Sequence, residues 1–336
     1  MVFFRFKTFK CTYYFPELTA ENRFIYSLYG NYGGKGAHLV WWLFCHSAPL
    51  RWLWRVRGEE IEGLPLLQSL LGDDVVFGVN MGTKGPDQKT SVLGYYYNVN
   101  DNFNLNANAN HNDNYNHNDN VNLNVNDKLN TDRRFFAKLA TTERAKALTR
   151  NEIKVYQTLA GTGLVPELYD YKDTEEYVFL KCECISGEHV RGDVDKNQIM
   201  AMLKCLKAQH YDLCITSQEN TTDGLKTCFA HMDFCPWNMI DVDGKLRIID
   251  WEMAAEMPLG FDLFTYLLQT FFLTDNSKTG MEVIEQHREW IEEYFEGEDW
   301  HQYLKAFIDY KVDFFSAGQN PLLLSRFTEM AEVIKD

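Results

Sequence analysis

The hydrophobic pattern of the chain changes period near Gly187. Before it, apolar residues come in short β-rich runs: DVVFGVNMG (Asp74–Gly82), SVLGYYY (Ser91–Tyr97), RRFFAKLA (Arg133–Ala140) and YVFLKCEC (Tyr177–Cys184). Each run is strand-like in length and composition. Between the last two, a helix is predicted from about Thr142 to Leu159, with Thr141 or Thr142 as its cap and Gly161 as its stop. Beyond Gly187, QIMAMLKCLKAQHYDL (about 198–213) spaces its apolar residues by three and four, the period of a helix. Two short strands around Met239-Ile240 and Leu246–Ile249 interrupt a remainder that reads mostly as helix. Strands followed by helices predict a two-lobed α+β architecture with a cleft between the lobes.

One tract stands outside this pattern. From Asn98 to Asn126 every even position is Asn, a strict period of two over 29 residues. Asn is a poor strand former and the intervening residues include Asp and His, so the tract (98–130) is expected to be a mobile or loosely ordered insertion. Its excision leaves Ser91–Tyr97 and Arg133–Ala140 as neighbouring antiparallel strands. The expected organisation is an N-terminal extension over 1–72, a strand-rich lobe over 73–184 containing the insertion, and a helical lobe over 185–336.

The charge is uneven. The whole chain is −15, which argues against general binding to nucleic-acid phosphates, yet residues 1–57 carry eight Lys or Arg against two acids. Those residues also hold 16 aromatics, among them Trp41, Trp42, Trp52 and Trp54. The combination suits peripheral contact with an anionic membrane surface; an accessory helical layer on the small lobe is the other reading. The longest apolar stretch, His38 to Leu50, has 13 residues, too short for a spanning helix of about 20. Eight cysteines without a CxxC pair, and charges within MVFFRFKTFK, point to reduced thiols in a cytoplasm. Cys182 and Cys184 alternate on a strand without the tight loop of a zinc knuckle, and no zinc is expected. Gly30-Asn-Tyr-Gly-Gly34-Lys35-Gly36 has the wrong spacing for a P-loop and is read as a turn. Farther on, Glu282–Asp299 carries eight acids against Arg288, either a solvated helical face or the rim of a site for a cationic substrate.

Candidate chemistry lies in two segments of the helical half, His231-Met-Asp233-Phe-Cys-Pro-Trp-Asn238 and Ile248-Ile-Asp250-Trp-Glu252. An Asp and an Asn five apart on a Pro-containing loop, with a second Asp ending the next strand, form an oxygen-rich set suited to Mg²⁺ beside a nucleotide. Phosphoryl transfer asks the protein mainly to position the acceptor hydroxyl and neutralise phosphate charge.

HMDFCPWN resembles the catalytic loop H-G-D-x-x-x-x-N of the aminoglycoside phosphotransferase and choline kinase group, and IIDWE resembles that family's metal-binding D-x-[DE] step. The resemblance implies a protein-kinase-like two-lobed α+β fold, with a small antiparallel-sheet lobe and a helical lobe. To it we add a helical N-terminal extension. It implies that Asp233 accepts the proton of the attacking hydroxyl, while Asn238 and Asp250 hold Mg²⁺. Met232 stands where the family usually has Gly, which puts the local backbone in question. Glu252 is either part of the metal shell or a solvated acid.

The strand-rich half supplies the matching parts. Lys138 shares a strand face with Phe136 and Ala140, and Glu152 lies on the apolar stripe of the helix 142–159, where a carboxylate needs a partner. Lys138 is that partner, matching the Lys–Glu pair of the family, with Lys138 on the nucleotide phosphates. The loop from Gly82 to Thr90 is rich in turn formers and backbone donors; Gly82, Thr83 and Gly85 are its candidates for covering a phosphate. Lys181, Cys182, Glu183 and Cys184 resemble the inter-lobe hinge, whose backbone takes an adenine edge. His231 and Asp262 are assigned structural support, Asp262 as a brace for the catalytic loop.

The function expected is transfer of phosphate from ATP, or GTP, with Mg²⁺, to a hydroxyl of an aminoglycoside, an amino alcohol or a surface-polysaccharide sugar. No obligate protein partner is evident. A catalytically silent nucleotide-binding or scaffolding module is the alternative. A protein kinase is disfavoured: twelve residues from Asp250 to Asp262, without D-F-G or A-P-E, leave no room for an activation segment.

Overall fold

The computed structural model describes residues 2–29, 35–97, 134–190, 194–208, 224–275, 277–318 and 320–334. The Asn-rich tract, Gly30–Gly34 of the glycine turn and residues 209–213 of the predicted helix lie outside these ranges. The chain divides into two compact units, Met1–Gly161 with Pro166–Ser186, and Thr162–Val165 with Gly187–Asp336.

The first unit is built on an antiparallel sheet. Its strands are β1 (Val2–Lys7), β2 (Thr12–Phe15), β3 (Arg55–Arg57), β4 (Val75–Asn80), β5 (Lys89–Tyr96), β6 (Arg134–Ala140), β7 (Leu168–Asp173) and β8 (Val178–Glu183), in the order β3-β1-β2-β4-β5-β6-β8-β7. Four strands fall on the predicted runs. β5 and β6 pair antiparallel, with Ser91 opposite Lys138, as the excision of the Asn tract requires.

The extension differs from the helical layer expected of it. It contributes helices α1 (Lys35–His46), α2 (Ala48–Leu53) and α3 (Leu64–Leu71), but also β1, β2 and β3, which lengthen the sheet beyond β4. β1 is covered on one face along its length and on the other at Phe3: Phe3 lies in the buried cluster with Leu64 and Phe77, its ring 5.7 Å from that of Phe77, whereas Phe4 and Phe6 pack in the cluster of Phe15, Tyr26 and Phe44. From Phe4 the strand alternates, with Phe4 and Phe6 buried and Arg5 and Lys7 exposed, so the period of two that marks a strand is present in the sequence and the sequence reading passed over it. β7 was also missed, because LYDYKD has an exposed, charged end.

Helix α4 (Glu143–Thr158) follows β6. The Thr142 hydroxyl accepts from the Ala145 N–H, a side-chain cap worth about 1 kcal/mol. Gly161, past its end, has φ of +77°, the left-handed conformation in which glycine costs least.

The second unit carries short sheets and helices: β9 (Glu188–His189), α5 (Lys196–Lys207), β10 (Thr227–Ala230), β11 (Met239–Val242), β12 (Lys245–Ile248), β13 (Ala255–Pro258) and α6 (Phe261–Phe264). A π-helical turn over Thr265–Gln269 leads into α7 (Thr270–Thr274), α8 (Gly280–Gln286), α9 (Arg288–Phe295), α10 (Trp300–Ser316) and α11 (Pro321–Ile334). β11 and β12 form a hairpin on Asp243-Gly244, both residues at positive φ as a two-residue turn of this kind requires. No helix among the described residues is long and apolar enough to cross a membrane.

Candidate active site

In the second unit the turn at one end of the β11–β12 hairpin leaves Asn238 and Asp250 at the other. Met239 pairs with Ile248 in the ladder, and the Ile249 N–H donates to the Asn238 carbonyl at 2.9 Å. The residues flanking that last rung are therefore neighbours by backbone construction. His231 joins them: its Nε2 lies 3.0 Å from the Ile249 carbonyl, while its Nδ1 lies 3.2 Å from the Asp233 N–H. A carbonyl only accepts and an amide N–H only donates, so the ring is held as the tautomer protonated on Nε2. His231 is fully buried and edge-on to Trp251, in keeping with a structural role.

The loop between them turns through Met232, whose φ is +70°. A side chain in that region costs about 1–2 kcal/mol, which explains a preference for glycine there. Asp262 over-determines the turn. Its buried carboxylate accepts from the His231 N–H at 2.7 Å and from the Met232 N–H at 2.9 Å. Burial pushes the Asp262 carboxyl up, and these backbone bonds with the nearby His231 pull against it. Asp250 is a second residue with positive φ, +68°. Two strained carboxylate-bearing segments in one site are the kind of outlier that motivates a functional reading.

Asp233 is half-buried and its carboxylate is held from both sides. Asn238 Nδ2 donates to Oδ2 at 2.8 Å and to the Asp233 carbonyl at 2.9 Å. Gln269 Nε2 donates to Oδ1 at 2.6 Å. Both hydrogens of the Asn238 amide thus engage Asp233, leaving the amide oxygen as its donor toward a cation. That oxygen and the Asp250 carboxylate are hard ligands of the type Mg²⁺ takes together with water and phosphate oxygens, so the residues present fit the ion.

The first unit brings Lys138 and Glu152 together. Lys138 Nζ lies 2.7 Å from Glu152 Oε2 and 3.0 Å from Oε1, and the Tyr156 hydroxyl donates to Oε1 at 2.9 Å. Both members of the ion pair are buried. The loop after β4 is tethered rather than loose. The Gly82 N–H donates to Asn80 Oδ1 at 3.0 Å, the Thr83 hydroxyl lies 3.4 Å from the Cys11 thiol, and Gly85 accepts from the Gln88 N–H at 3.1 Å. The cap residue Thr142 donates to the Pro86 carbonyl, and Arg144 pairs with Asp87 at 2.5 Å. The loop is thereby fastened to the start of α4.

The hinge-like segment is mostly sheet. Lys181 and Cys182 are paired on both sides, with β6 and β7, and the Glu183 N–H donates to the Glu167 carbonyl. Cys184 follows the last paired residue. The Lys181 ammonium reaches the Tyr96 hydroxyl at 3.1 Å, and burial pushes the Cys182 thiol well up.

Two residues of the Asp233 network escaped the sequence reading, Gln269 on the π-helical turn and Lys311 on α10. Lys311 did carry a signal. Phe307 and Phe315 stand four residues to either side of it, so the lysine lies on an apolar helix stripe, the same clue that singled out Glu152. Four of the eight acids at 282–299 are paired with lysines, and Glu285 and Glu292 with Arg288. Lys196 pairs with Glu289 and Glu293, Lys204 with Glu293, Lys207 with Glu296, and Lys226 with Glu298. These pairings favour the solvated, structural reading of that face over a rim for a cationic substrate.

Residues 205–304 match the model of the phosphotransferase enzyme family, a segment that contains both HMDFCPWN and IIDWE. The resemblance to aminoglycoside phosphotransferases expected from those motifs is met over this segment. Among solved structures the chain is similar to amicoumacin kinase hAmiN in complex with AMP-PNP, Ca²⁺ and Ami, at 11% identity and TM-score 0.43, over 60% of this chain and 82% of that one. It is also similar to a thermostable mutant of aminoglycoside phosphotransferase APH(4)-Ia in a ternary complex with ADP and hygromycin B, at 10% identity and TM-score 0.47, over 80% and 96% of the respective chains. A third, APH(3'')-Id from Streptomyces rimosus, is 15% identical with TM-score 0.41, over 59% and 87%.

Proposed function

We propose that the protein is an ATP- and Mg²⁺-dependent phosphotransferase acting on a hydroxyl group of a small molecule or glycan. The observation that carries this reading is the half-buried Asp233 carboxylate, oriented by Asn238 and Gln269 on a loop that Asp262 braces. Asp233 accepts the acceptor's hydroxyl proton as that oxygen bonds to the γ-phosphorus and the bond to the bridging oxygen breaks, releasing ADP. Asn238 and Asp250 hold the metal ion, which when bound offsets charge on the phosphates. Lys138, fixed by Glu152, is the phosphate-binding cation. The loop bearing Gly82, Thr83 and Gly85 covers the phosphates, and the backbone at Cys184 is the part of the hinge-like segment left to meet a base edge.

The test is product formation from ATP or GTP with Mg²⁺ across aminoglycosides, amino alcohols and polysaccharide sugars, run on wild type and Asp233→Asn. Transfer by the wild type that the variant loses, while it keeps nucleotide-induced thermal stabilisation, supports the reading. Stabilisation without transfer in both would favour the silent module.

Peripheral attachment to an anionic membrane belongs to the same proposal. Leu39, Val40 and Trp42 of α1 and Trp52 and Leu53 of α2 are exposed, with Arg55 and Arg57 exposed just beyond. Exposed aromatics beside cations suit a lipid interface. Co-sedimentation with phosphatidylserine vesicles, lost in Trp52→Ser/Leu53→Ser, is the expected result. Equal binding by that variant would remove the membrane from the proposal.

A further inference from the structure

We propose that Lys311 and Gln269 form a positioning relay that sets the orientation of the Asp233 carboxylate. The proposal rests on the phosphotransfer reading above and adds to it two residues outside the family motifs.

Lys311 Nζ donates to Gln269 Oε1 at 3.0 Å, and Gln269 Nε2 donates to Asp233 Oδ1 at 2.6 Å. The same Nε2 lies 3.6 Å from the Cys235 thiol. The amide has a single workable orientation. Reversed, it would set its oxygen against the Asp233 carboxylate and its N–H groups against the Lys311 ammonium, so the charges at the two ends decide which way it points. With Asn238 on Oδ2, each carboxylate oxygen has an amide donor that fixes its direction.

A buried cation is a costly way to fill space. Lys311 is 3% exposed, and burial lowers its pKa to about 8. Phe261, Phe307 and Phe315 stack around the ammonium at 5.1, 5.4 and 6.0 Å. The groups facing it with charge or the capacity for it are Asp233 and Cys235 from the catalytic loop and Asp262 from α6. Its remaining bond, at 3.4 Å, goes to the carbonyl of Met232, the residue at positive φ. Apolar residues would pack such a cavity at equal or better stability. The lysine instead ties α10 to both the strained turn and, through Gln269, the carboxylate next to it. Gln269 itself ends the π-helical turn, an irregularity that commonly marks functional positions.

The experiment compares wild type with Gln269→Leu, Gln269→Glu and Lys311→Met, measuring kcat, KM for the Mg²⁺ nucleotide, and thermal midpoint. Gln269→Glu keeps the side-chain volume but sets a second carboxylate against Asp233. The relay predicts that kcat falls by about tenfold or more in all three, since small misplacements of a reacting group cost this much, with nucleotide KM within about twofold. Lys311→Met is expected to lose kcat without losing thermal stability. A structural role predicts the reverse, loss of stability with kcat per folded molecule kept. Should Lys311→Met fail to fold, the two Gln269 variants decide. Wild-type turnover matched within twofold by both overturns the relay and leaves the phosphotransfer reading standing. A wild type without turnover on any acceptor, water included, overturns the reading and the relay with it.

Discussion

Removing Lys138 tests the first unit's half of the proposal. Glu152 is 1% exposed and receives two bonds from Lys138 Nζ, with the Tyr156 hydroxyl as a third donor. In Lys138→Met the carboxylate keeps its burial and loses its counter-charge. Breaking a buried pair from one side costs about 3–5 kcal/mol. At roughly 2–4 °C per kcal/mol for a domain of this size, the midpoint should drop by roughly 6–20 °C. Lys138→Met/Glu152→Leu removes both charges and should recover most of that loss, because an apolar replacement escapes the desolvation that the pair needed to offset. Nucleotide binding should not recover with stability. Urea unfolding of the wild type, both single variants and the double variant, with and without Mg²⁺–ATP, separates the two effects. A loss below about 1 kcal/mol in Lys138→Met would be the value of an exposed pair and would refute the argument from burial. Retained stabilisation by ATP in the double variant would refute the phosphate-binding role.

Three further outcomes follow from the geometry. Asp262→Ala strands the His231 and Met232 N–H groups and releases the positive-φ turn; at about 1–3 kcal/mol per unsatisfied group it should cost several kcal/mol in urea unfolding and abolish turnover. Lys311 has its pKa lowered to about 8, below its unfolded value, so between those two values the unfolded chain binds the extra proton. Stability of the wild type relative to Lys311→Met should therefore rise with pH across that window, by up to about 3 kcal/mol, and a flat difference from pH 7 to 10 would show that the ammonium is hydrated. Gly82→Ala places a methyl group on the Lys89 carbonyl at a φ of +69° and should weaken nucleotide stabilisation, as read by thermal shift, more than it weakens the fold.

Much of the site was legible because its signals are local. HMDFCPWN and IIDWE sit on a loop and a hairpin whose Asp-Gly turn and short strands follow from neighbouring residues, which is how Asn238 and Asp250 come to flank one rung. The Lys138–Glu152 pair was legible for another reason: strand and helix periods each assign a side chain to a face, and a carboxylate on an apolar face requires a cation. The cap at Thr142 and the stop at Gly161 are likewise short-range chemistry.

Tertiary structure decided the rest. The strands of the extension join the sheet because Phe3 finds apolar cover beside α3, and Phe4 and Phe6 find it in the aromatic cluster around Phe15 and Phe44; the period of two over residues 4–7 marks a strand but does not say which sheet it joins. Met232 tolerates a glycine's backbone because Asp262, 30 residues on, accepts its N–H. Gln269 and Lys311, separated by 42 residues, meet through a π-helical turn and a long helix. Local sequence determines which face a side chain occupies; only the packing of distant elements determines which polar group it meets there, and burial then makes that meeting obligatory.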